Sequence, residues 1–168
     1  MARRCPENKF VGLGILRGWK WFINTRRYAN IIRSPEDLVY GLVYEISPSD
    51  EASLDRSEGV PRDYTKETME IELQLVGDGG KSVVQGLVYI DERRVEEGEP
   101  WEEYVYRMNM GIGDATARGL PRWYINKYMR KFIPAEGGKE GVEELKPEEA
   151  LHHAAKMRSR RNRRGVIR

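Results

Sequence analysis

Within residues 67–75, polar and apolar side chains alternate strictly from Thr68 onward, and this stretch constrains the fold more than any other in the chain. A period of two is typical of a β-strand with one buried face. The glycine-rich residues 77–80 follow as a hairpin loop, and residues 82–90 return as the antiparallel partner. The chain is therefore predicted to contain an antiparallel sheet, with Met69, Ile71, Leu73 and Leu75 facing its core and Glu70, Glu72 and Gln74 facing outward.

Further apolar segments before residue 67 are predicted as strands. They are residues 10–16, 19–23, 29–32 and 39–46. A turn at Arg17-Gly18 is expected to separate the first two, and Ser34-Pro35-Glu36-Asp37 to end the third. Residues 39–46 form the most clearly buried of these strands. Gly41 and Gly86 lie inside strands, where glycine often marks a bulge or a close approach, so we expect a curved, barrel-like sheet.

The periodicity becomes helical after residue 100. Apolar residues at i, i+3, i+4 and i+7 predict a helix, which Gly111-Ile112-Gly113 is expected to interrupt. Gly119-Leu120-Pro121 starts a second helix, and Pro134 ends it. The two apolar stripes are Trp101, Tyr104, Val105 and Met108, then Ile125, Tyr128, Met129 and Phe132.

The C-terminal residues form a separate basic appendage. We assign residues 1–136 to one domain, and residues 137–168 to a linker and a helical or disordered tail. Residues 156–168 contain one Lys, six Arg and no acidic residue. Such a run binds nucleic acid or simply solubilises the chain, and the sequence leaves both open. Nucleic acid is the less favoured partner, because no aromatic side chain offers stacking.

Several function classes are excluded by composition. The single Cys5 allows no internal disulfide and indicates a reducing, cytoplasmic compartment. No apolar run approaches the ~20 residues that a membrane helix needs. The adjacent His152 and His153 cannot easily share a metal ion, so we expect no metal site and no cofactor. Because these are the only two histidines in the sequence, no credible Ser/His/Asp catalytic triad is expected.

One short helix carries the best candidate for chemistry. Ser47 or Ser49 can cap its first turn, acidic residues follow there, and Gly59 ends it. Glu58 lies in the last turn, where the helix dipole disfavours a carboxylate and raises its pKa. Asp55, three residues earlier, adds repulsion that raises one of the two pKa values further. The alternative is that Glu58, one of 27 acidic residues, points into water.

Two motifs in the chain resemble the gamma-glutamylcyclotransferase family. The first is Leu54-Asp55-Arg56-Ser57-Glu58-Gly59-Val60, followed by Tyr64. The second runs from Tyr104 to Gly111 and continues at Gly119-Leu120-Pro121-Arg122-Trp123-Tyr124. Four further segments resemble fungal members of the family, so that the resemblance covers about residues 4–134. These segments are Arg4-Cys5-Pro6, Val11-Gly12, residues 19–23 and Tyr28-Ala29-Asn30-Ile31.

The resemblance implies an α+β fold with a small mixed β-barrel flanked by helices. It also implies a lyase that converts a γ-glutamyl amide to 5-oxoproline and a free amine without metal or cofactor. Glu58 would be the general acid/base, Tyr104 would contact the substrate, and Tyr64 would lie at the mouth of the site. We add Tyr89, on a predicted strand, as a third substrate-binding candidate, with ordinary packing as the alternative for all three tyrosines.

Members of the family begin with a strand that ends in Tyr-Gly-Ser-Asn, whose loop binds the glutamyl group, whereas this sequence starts at Met1-Ala2-Arg3-Arg4-Cys5. We expect either a longer gene product or an inactive polypeptide.

The candidate substrates are γ-glutamyl amino acids and glutathione-derived conjugates. The alternatives are a catalytically inactive binding module on the same scaffold and a nucleic-acid-associated protein that uses the Arg-rich tail. A homodimer stays open as the assembly state.

Overall fold

The computed structural model describes residues 5–75 and 80–135 of the 168-residue chain. The described part has an α+β fold, as predicted, in which four strands form one sheet and the helices pack beside it. The elements in chain order are β1 (Lys9–Ile23), β2 (Ala29–Glu45), α1 (Pro48–Glu58), β3 (Thr65–Leu75), β4 (Lys81–Ile90), α2 (Glu102–Thr116) and α3 (Arg122–Tyr124), which continues as a π-helical turn (Ile125–Met129).

The sheet has the order β2-β1-β3-β4, and every described pair of neighbours is antiparallel. The predicted hairpin partners β3 and β4 are confirmed, with Lys66 opposite Tyr89 and Glu72 opposite Val83. β2 and β4 are the two edges of this hydrogen-bonded sheet. The hairpin loop falls largely on residues 76–79, outside the described residues.

The predicted turn at Arg17-Gly18 is wrong, because β1 continues through it as one strand of 15 residues. Arg17 pairs with Leu38 and Trp19 pairs with Arg33, so residues 34–37 of β2 are left out of the register opposite Gly18. Gly18 has φ of +77°, a conformation that suits a glycine in a bulge. The predicted turn at Arg17-Gly18 and the predicted strand end at residues 34–37 are therefore two sides of one irregularity in the pairing of β1 with β2.

Burial follows the position of each strand in the sheet. β1 lies inside the sheet, and Trp21, Phe22 and Ile23 are almost fully buried. The expectation that residues 39–46 form the most clearly buried strand is wrong: β2 is an edge strand, and only Val39 of that stretch is fully buried. The alternation in β3 is confirmed for Met69, Ile71 and Leu73, whereas Leu75 is exposed at the strand end.

The glycine at residue 86 permits a close approach across the hairpin. A Cβ atom there would lie 2.3 Å from Cδ1 of Ile71, so a side chain would displace the buried Ile71. The close approach expected at Gly86 is thus made by a side chain of the neighbouring strand β3.

Helix α2 differs from its prediction because Gly111-Ile112-Gly113 does not interrupt it. Ile112 is buried in the core, and this contact holds the helix where the two glycines weaken it. The helix begins after Trp101, whose ring is half-exposed below the Arg27 guanidinium. The second predicted stripe is confirmed, since all four of its side chains are buried: Ile125, Tyr128, Met129 and Phe132.

The predicted linker, final helix and basic tail after residue 136 lie outside the described residues. Within residues 5–75 and 80–135, no helix combines the length and apolar character needed to cross a membrane.

Candidate active site

Helix α1 forms as its sequence predicts, because both ends are capped locally. Ser47 is the N-cap, and its hydroxyl accepts a hydrogen bond of 3.2 Å from the amide of Asp50. Gly59 ends the helix in the left-handed region with φ of +69°. The amide of Val60 then donates to the carbonyl of Asp55 at 3.0 Å. These caps fix where the last turn, and therefore Glu58, lies.

One face of α1 is buried, and two of its three buried residues are acidic. Asp50, Leu54 and Glu58 are spaced four residues apart, which places them on one face of the helix, and they are only 2%, 1% and 3% exposed. The alternative that Glu58 points into water is therefore wrong. A buried carboxylate is costly and needs a structural or chemical reason.

Asp50 has an evident structural role at the N-terminal end of α1. Its Oδ2 accepts a hydrogen bond of 3.2 Å from the amide of Glu7. The buried Cys5 thiol lies 3.9 Å from the Asp50 carbonyl oxygen. Because amides and the positive end of the helix dipole both favour a carboxylate there, Asp50 anchors residues 5–7 to the helix.

A small apolar cluster lies beside the buried face of α1. It consists of Cys5, Leu54, Tyr64 and Tyr89, with Ile46 and Val60 packed against it. The structure thus brings two of the predicted tyrosines, Tyr64 and Tyr89, to the helix that carries Glu58. The Tyr64 hydroxyl and Oε2 of Glu58 are both fully buried atoms. This arrangement excludes water from the face of the helix on which Glu58 lies.

Tyr104 belongs to the main core and not to this small cluster. Its hydroxyl accepts a hydrogen bond of 3.2 Å from the amide of Ala29, and its ring packs edge-on against Tyr28 with 5.1 Å between centroids. Ala29 pairs with Ile23, so Tyr104 lies at the end of the sheet where β1 finishes. β3 starts at that end too, because it runs antiparallel to β1 and follows Tyr64 directly.

Asp55 is held by two strands of the sheet. Tyr89 donates to its Oδ1 at 2.7 Å, and Lys66 donates to its Oδ2 at 2.8 Å. Partial burial by itself would raise the pKa of Asp55, but these two hydrogen bonds outweigh it and lower that pKa. Asp55 is therefore a stable anion, and it is not the member of the pair with Glu58 whose pKa is raised.

A buried polar network at the same end of the sheet was missed in the sequence. Asn24, Asn30 and Asp91 are at most 1% exposed. Asn24 donates to Oδ2 of Asp91 at 3.0 Å, and Asn30 exchanges hydrogen bonds with the Asp91 backbone at 2.9 and 3.0 Å. Arg94 donates to the same carboxylate at 2.8 Å, which raises the pKa of Arg94. The signal available was that Asn24 and Asp91 each follow an apolar strand directly, whereas Asn30 lies at the start of β2 and gave no such signal.

The loop that follows Glu58 is held by a backbone hydrogen bond and by an ion pair with the turn between β1 and β2. The amide of Asp63 donates to the carbonyl of Gly59 at 2.8 Å, and Nη1 of Arg26 lies 3.3 Å from Oδ1 of Asp63. The amide of Arg26 is held by the Asn24 side chain at 3.0 Å. The turn between β1 and β2 is thus tied to the loop after α1.

In residues 5–75 and 80–135, no group of three or more His, Cys, Asp or Glu side chains is arranged to bind a metal ion.

Comparison with known proteins gives matches to one family and to related structures. The family model described as gamma-glutamyl cyclotransferase, AIG2-like, matches residues 2–108. A structure described as gamma-glutamyl cyclotransferase superposes with a TM-score of 0.64 at 24% identity, covering 92% of this chain and 89% of the other. An uncharacterized protein from Homo sapiens gives 0.63 at the same identity and the same coverage. No curated protein matches the chain in sequence.

Proposed function

Because the chain belongs to the gamma-glutamyl cyclotransferase, AIG2-like family, we propose that it is a lyase that converts a γ-glutamyl amide to 5-oxoproline and a free amine. The observation that carries this proposal is the burial of Glu58 at the last turn of α1, within the segment that matches the family. The substrate class comprises γ-glutamyl amino acids and glutathione-derived conjugates.

In the proposed reaction, the substrate's α-amino nitrogen attacks its own γ-carbonyl carbon. Glu58 takes a proton from the α-ammonium, so that the nitrogen has a free electron pair for the attack. The new bond joins this nitrogen to the γ-carbon, and the bond from that carbon to the leaving nitrogen breaks. Glu58 passes this proton to the leaving amine, and the second proton that the attacking nitrogen must lose follows the same route, so that the lactam keeps one N–H and the amine leaves as an ammonium ion. No water is consumed, and the carboxylate ends the cycle as it began.

The physical advantage of this route is that the nucleophile and the carbonyl belong to one molecule. A well-aligned intramolecular attack can be worth about 7–11 kcal/mol of the barrier. The site must therefore hold the glutamyl chain in a curled conformation and exclude water. The apolar cluster of Leu54, Tyr64 and Tyr89 beside the helix provides the dry surface.

Two tyrosines are proposed to contact the substrate. Tyr64 lies in the cluster beside α1, so its buried hydroxyl is assigned to the part of the site next to the helix and not to its mouth. Tyr104 is assigned to the glutamyl group, which requires its hydroxyl to donate its own proton while it accepts the amide of Ala29. Tyr89, the third predicted candidate, already donates its hydroxyl proton to Asp55, so no substrate contact is assigned to it.

The test is to incubate the protein with γ-glutamyl dipeptides and to measure 5-oxoproline. The matched control is the same dipeptide acetylated on its α-nitrogen, which cannot supply the attacking electron pair. We expect product from the free dipeptide only, with no incorporation of oxygen from labelled water. Release of labelled glutamate would show hydrolysis and contradict the proposal. Binding of the dipeptide without product would support a non-catalytic binding module instead.

A further inference from the structure

We propose that Asp55, Lys66 and Tyr89 form a clamp that positions Glu58 for proton transfer, an inference that rests on the proposed function. Lys66 on β3 and Tyr89 on β4 are opposite one another in the sheet. Each of them holds a different oxygen of the Asp55 carboxylate on α1. In this role Tyr89 acts through the helix and does not touch the substrate.

The geometry of the clamp fixes the rotation of the helix as well as its distance from the sheet. The two oxygens of Asp55 are bound at 2.7 and 2.8 Å by donors on two different strands. Lys66 also donates to Oε1 of Glu51 at 2.6 Å, one turn earlier on α1. A helix held by two carboxylates on one side cannot easily roll about its axis.

The clamp adjoins Glu58 through both the side chain and the backbone. Asp55 precedes Glu58 by three residues, so the two lie on neighbouring positions of one helix face. The carbonyl of Asp55 accepts the amide of Val60 at 3.0 Å, which closes the last turn around Glu58. Leu54 packs in the same apolar cluster as Tyr89. A shift of Asp55 would therefore move the turn that carries Glu58.

An ordinary stabilising ion pair does not account for this arrangement. Exposed ion pairs, such as that between Arg17 and Glu72, contribute little to stability. By contrast, Tyr89 is 1% exposed, and the ion pair of Lys66 with Asp55 is roughly three-quarters buried. Burial raises the pKa of the Tyr89 phenol, and its hydrogen bond to Asp55 adds to this effect. The phenol therefore stays protonated as the donor of the clamp.

Four variants test the clamp. Tyr89→Phe removes one donor, Lys66→Met removes the other, and Lys66→Arg keeps a cation in its place. The matched control is Tyr128→Phe, which removes a similar tyrosine hydrogen bond of 2.6 Å, to Asp37, from the main core. Urea unfolding of each variant first establishes that it folds.

We expect Tyr89→Phe and Lys66→Met to lower kcat by about 10- to 100-fold with little change in KM, as misplacement of a catalytic group does. Lys66→Arg should recover most of the rate, and Tyr128→Phe should leave kcat unchanged. Unchanged kcat in both Tyr89→Phe and Lys66→Met would overturn the clamp. A raised KM with unchanged kcat in Tyr89→Phe would instead make Tyr89 a substrate contact and also overturn it.

Amide hydrogen exchange gives a readout that does not depend on turnover. If the clamp holds the last turn, the amides of Gly59 and Val60 exchange faster in Tyr89→Phe than in wild type, and Tyr128→Phe leaves them unchanged. Equal exchange in wild type and Tyr89→Phe would contradict the clamp. If the wild-type protein releases no 5-oxoproline, the proposed function fails, and hydrogen exchange still decides whether the clamp holds the helix.

Discussion

Asp50 and Glu58 lie two turns apart on the same buried face of α1, Asp50 in the first turn of the helix and Glu58 in the last. Asp50 is at the amide end, where its carboxylate accepts the amide of Glu7. Glu58 is at the carbonyl end, where the helix dipole opposes a negative charge. The fold therefore explains why the carboxylate of Asp50 is buried, and we assign the chemistry to Glu58.

Replacing Asp50 should affect stability and not turnover. Asp50→Asn loses the charge that complements the start of the helix and weakens the hydrogen bond from Glu7, so we expect a loss of about 1 kcal/mol in the free energy of unfolding. Release of 5-oxoproline should be unchanged in the folded variant. A large loss of rate at unchanged stability would show that Asp50 belongs to the site. Urea unfolding and a turnover assay on one preparation measure both.

The end of α1 can be tested by comparing two glycines. Gly59→Ala forces a side chain into φ of +69° and places its Cβ 2.6 Å from Oδ2 of Asp63, so we expect a loss of about 1–2 kcal/mol. Gly111→Ala is the control, since it lies inside α2 with open space around its Cβ position. It should gain about 0.5–1 kcal/mol in unfolding free energy. Equal effects at both positions would refute the assigned helix end.

The charge on Asp55 predicts how stability depends on pH. Its pKa in the folded protein lies below the ordinary 3.8, so the ion pair and hydrogen bonds stabilise the fold above that value. The contribution is lost as pH falls through the folded pKa. The difference in unfolding free energy between wild type and Asp55→Asn should thus be largest near neutral pH and shrink below about pH 4. A difference that stays constant from pH 7 to pH 3 would contradict the clamp's ionic character.

Removing the buried acid Asp91 should be among the most damaging changes. Its carboxylate holds the Asn24 side chain, the Arg94 guanidinium and the amides of Arg93 and Arg94. Asp91→Ala leaves these groups without an acceptor, and we expect a loss of about 3–5 kcal/mol. Asp37→Ala is the control, because Asp37 is partly exposed and its partner Lys127 is exposed to water. Chemical denaturation would contradict the expectation if both variants lost the same stability.

Features governed by local sequence could be predicted from the chain alone. Helix α1 is one of them, because Ser47 caps its first turn and Gly59 ends it. The alternation in β3 is another, since Met69, Ile71 and Leu73 each report the same buried face. These signals lie within a few residues of the structure that they determine, so no tertiary contact had to be known.

Features decided by distant contacts could not be predicted. The continuity of β1 through Gly18 depends on its pairing with β2, and α2 continues past its glycines because Ile112 is buried. In the site, Glu58 was found from its position on the helix. The partners of Asp55 were not, since they lie 11 and 34 residues away, and Asn24 meets Asp91 across 67 residues.

The central claim is that Glu58 transfers the proton, and Glu58→Gln tests it most directly. The variant keeps the size of the side chain and removes its ability to accept and return a proton. Glu70→Gln, on the exposed face of β3, is the matched control. With equal urea midpoints, we expect Glu58→Gln to lower 5-oxoproline release by roughly 10²–10⁴-fold while Glu70→Gln keeps the wild-type rate. Wild-type turnover in Glu58→Gln would contradict the account.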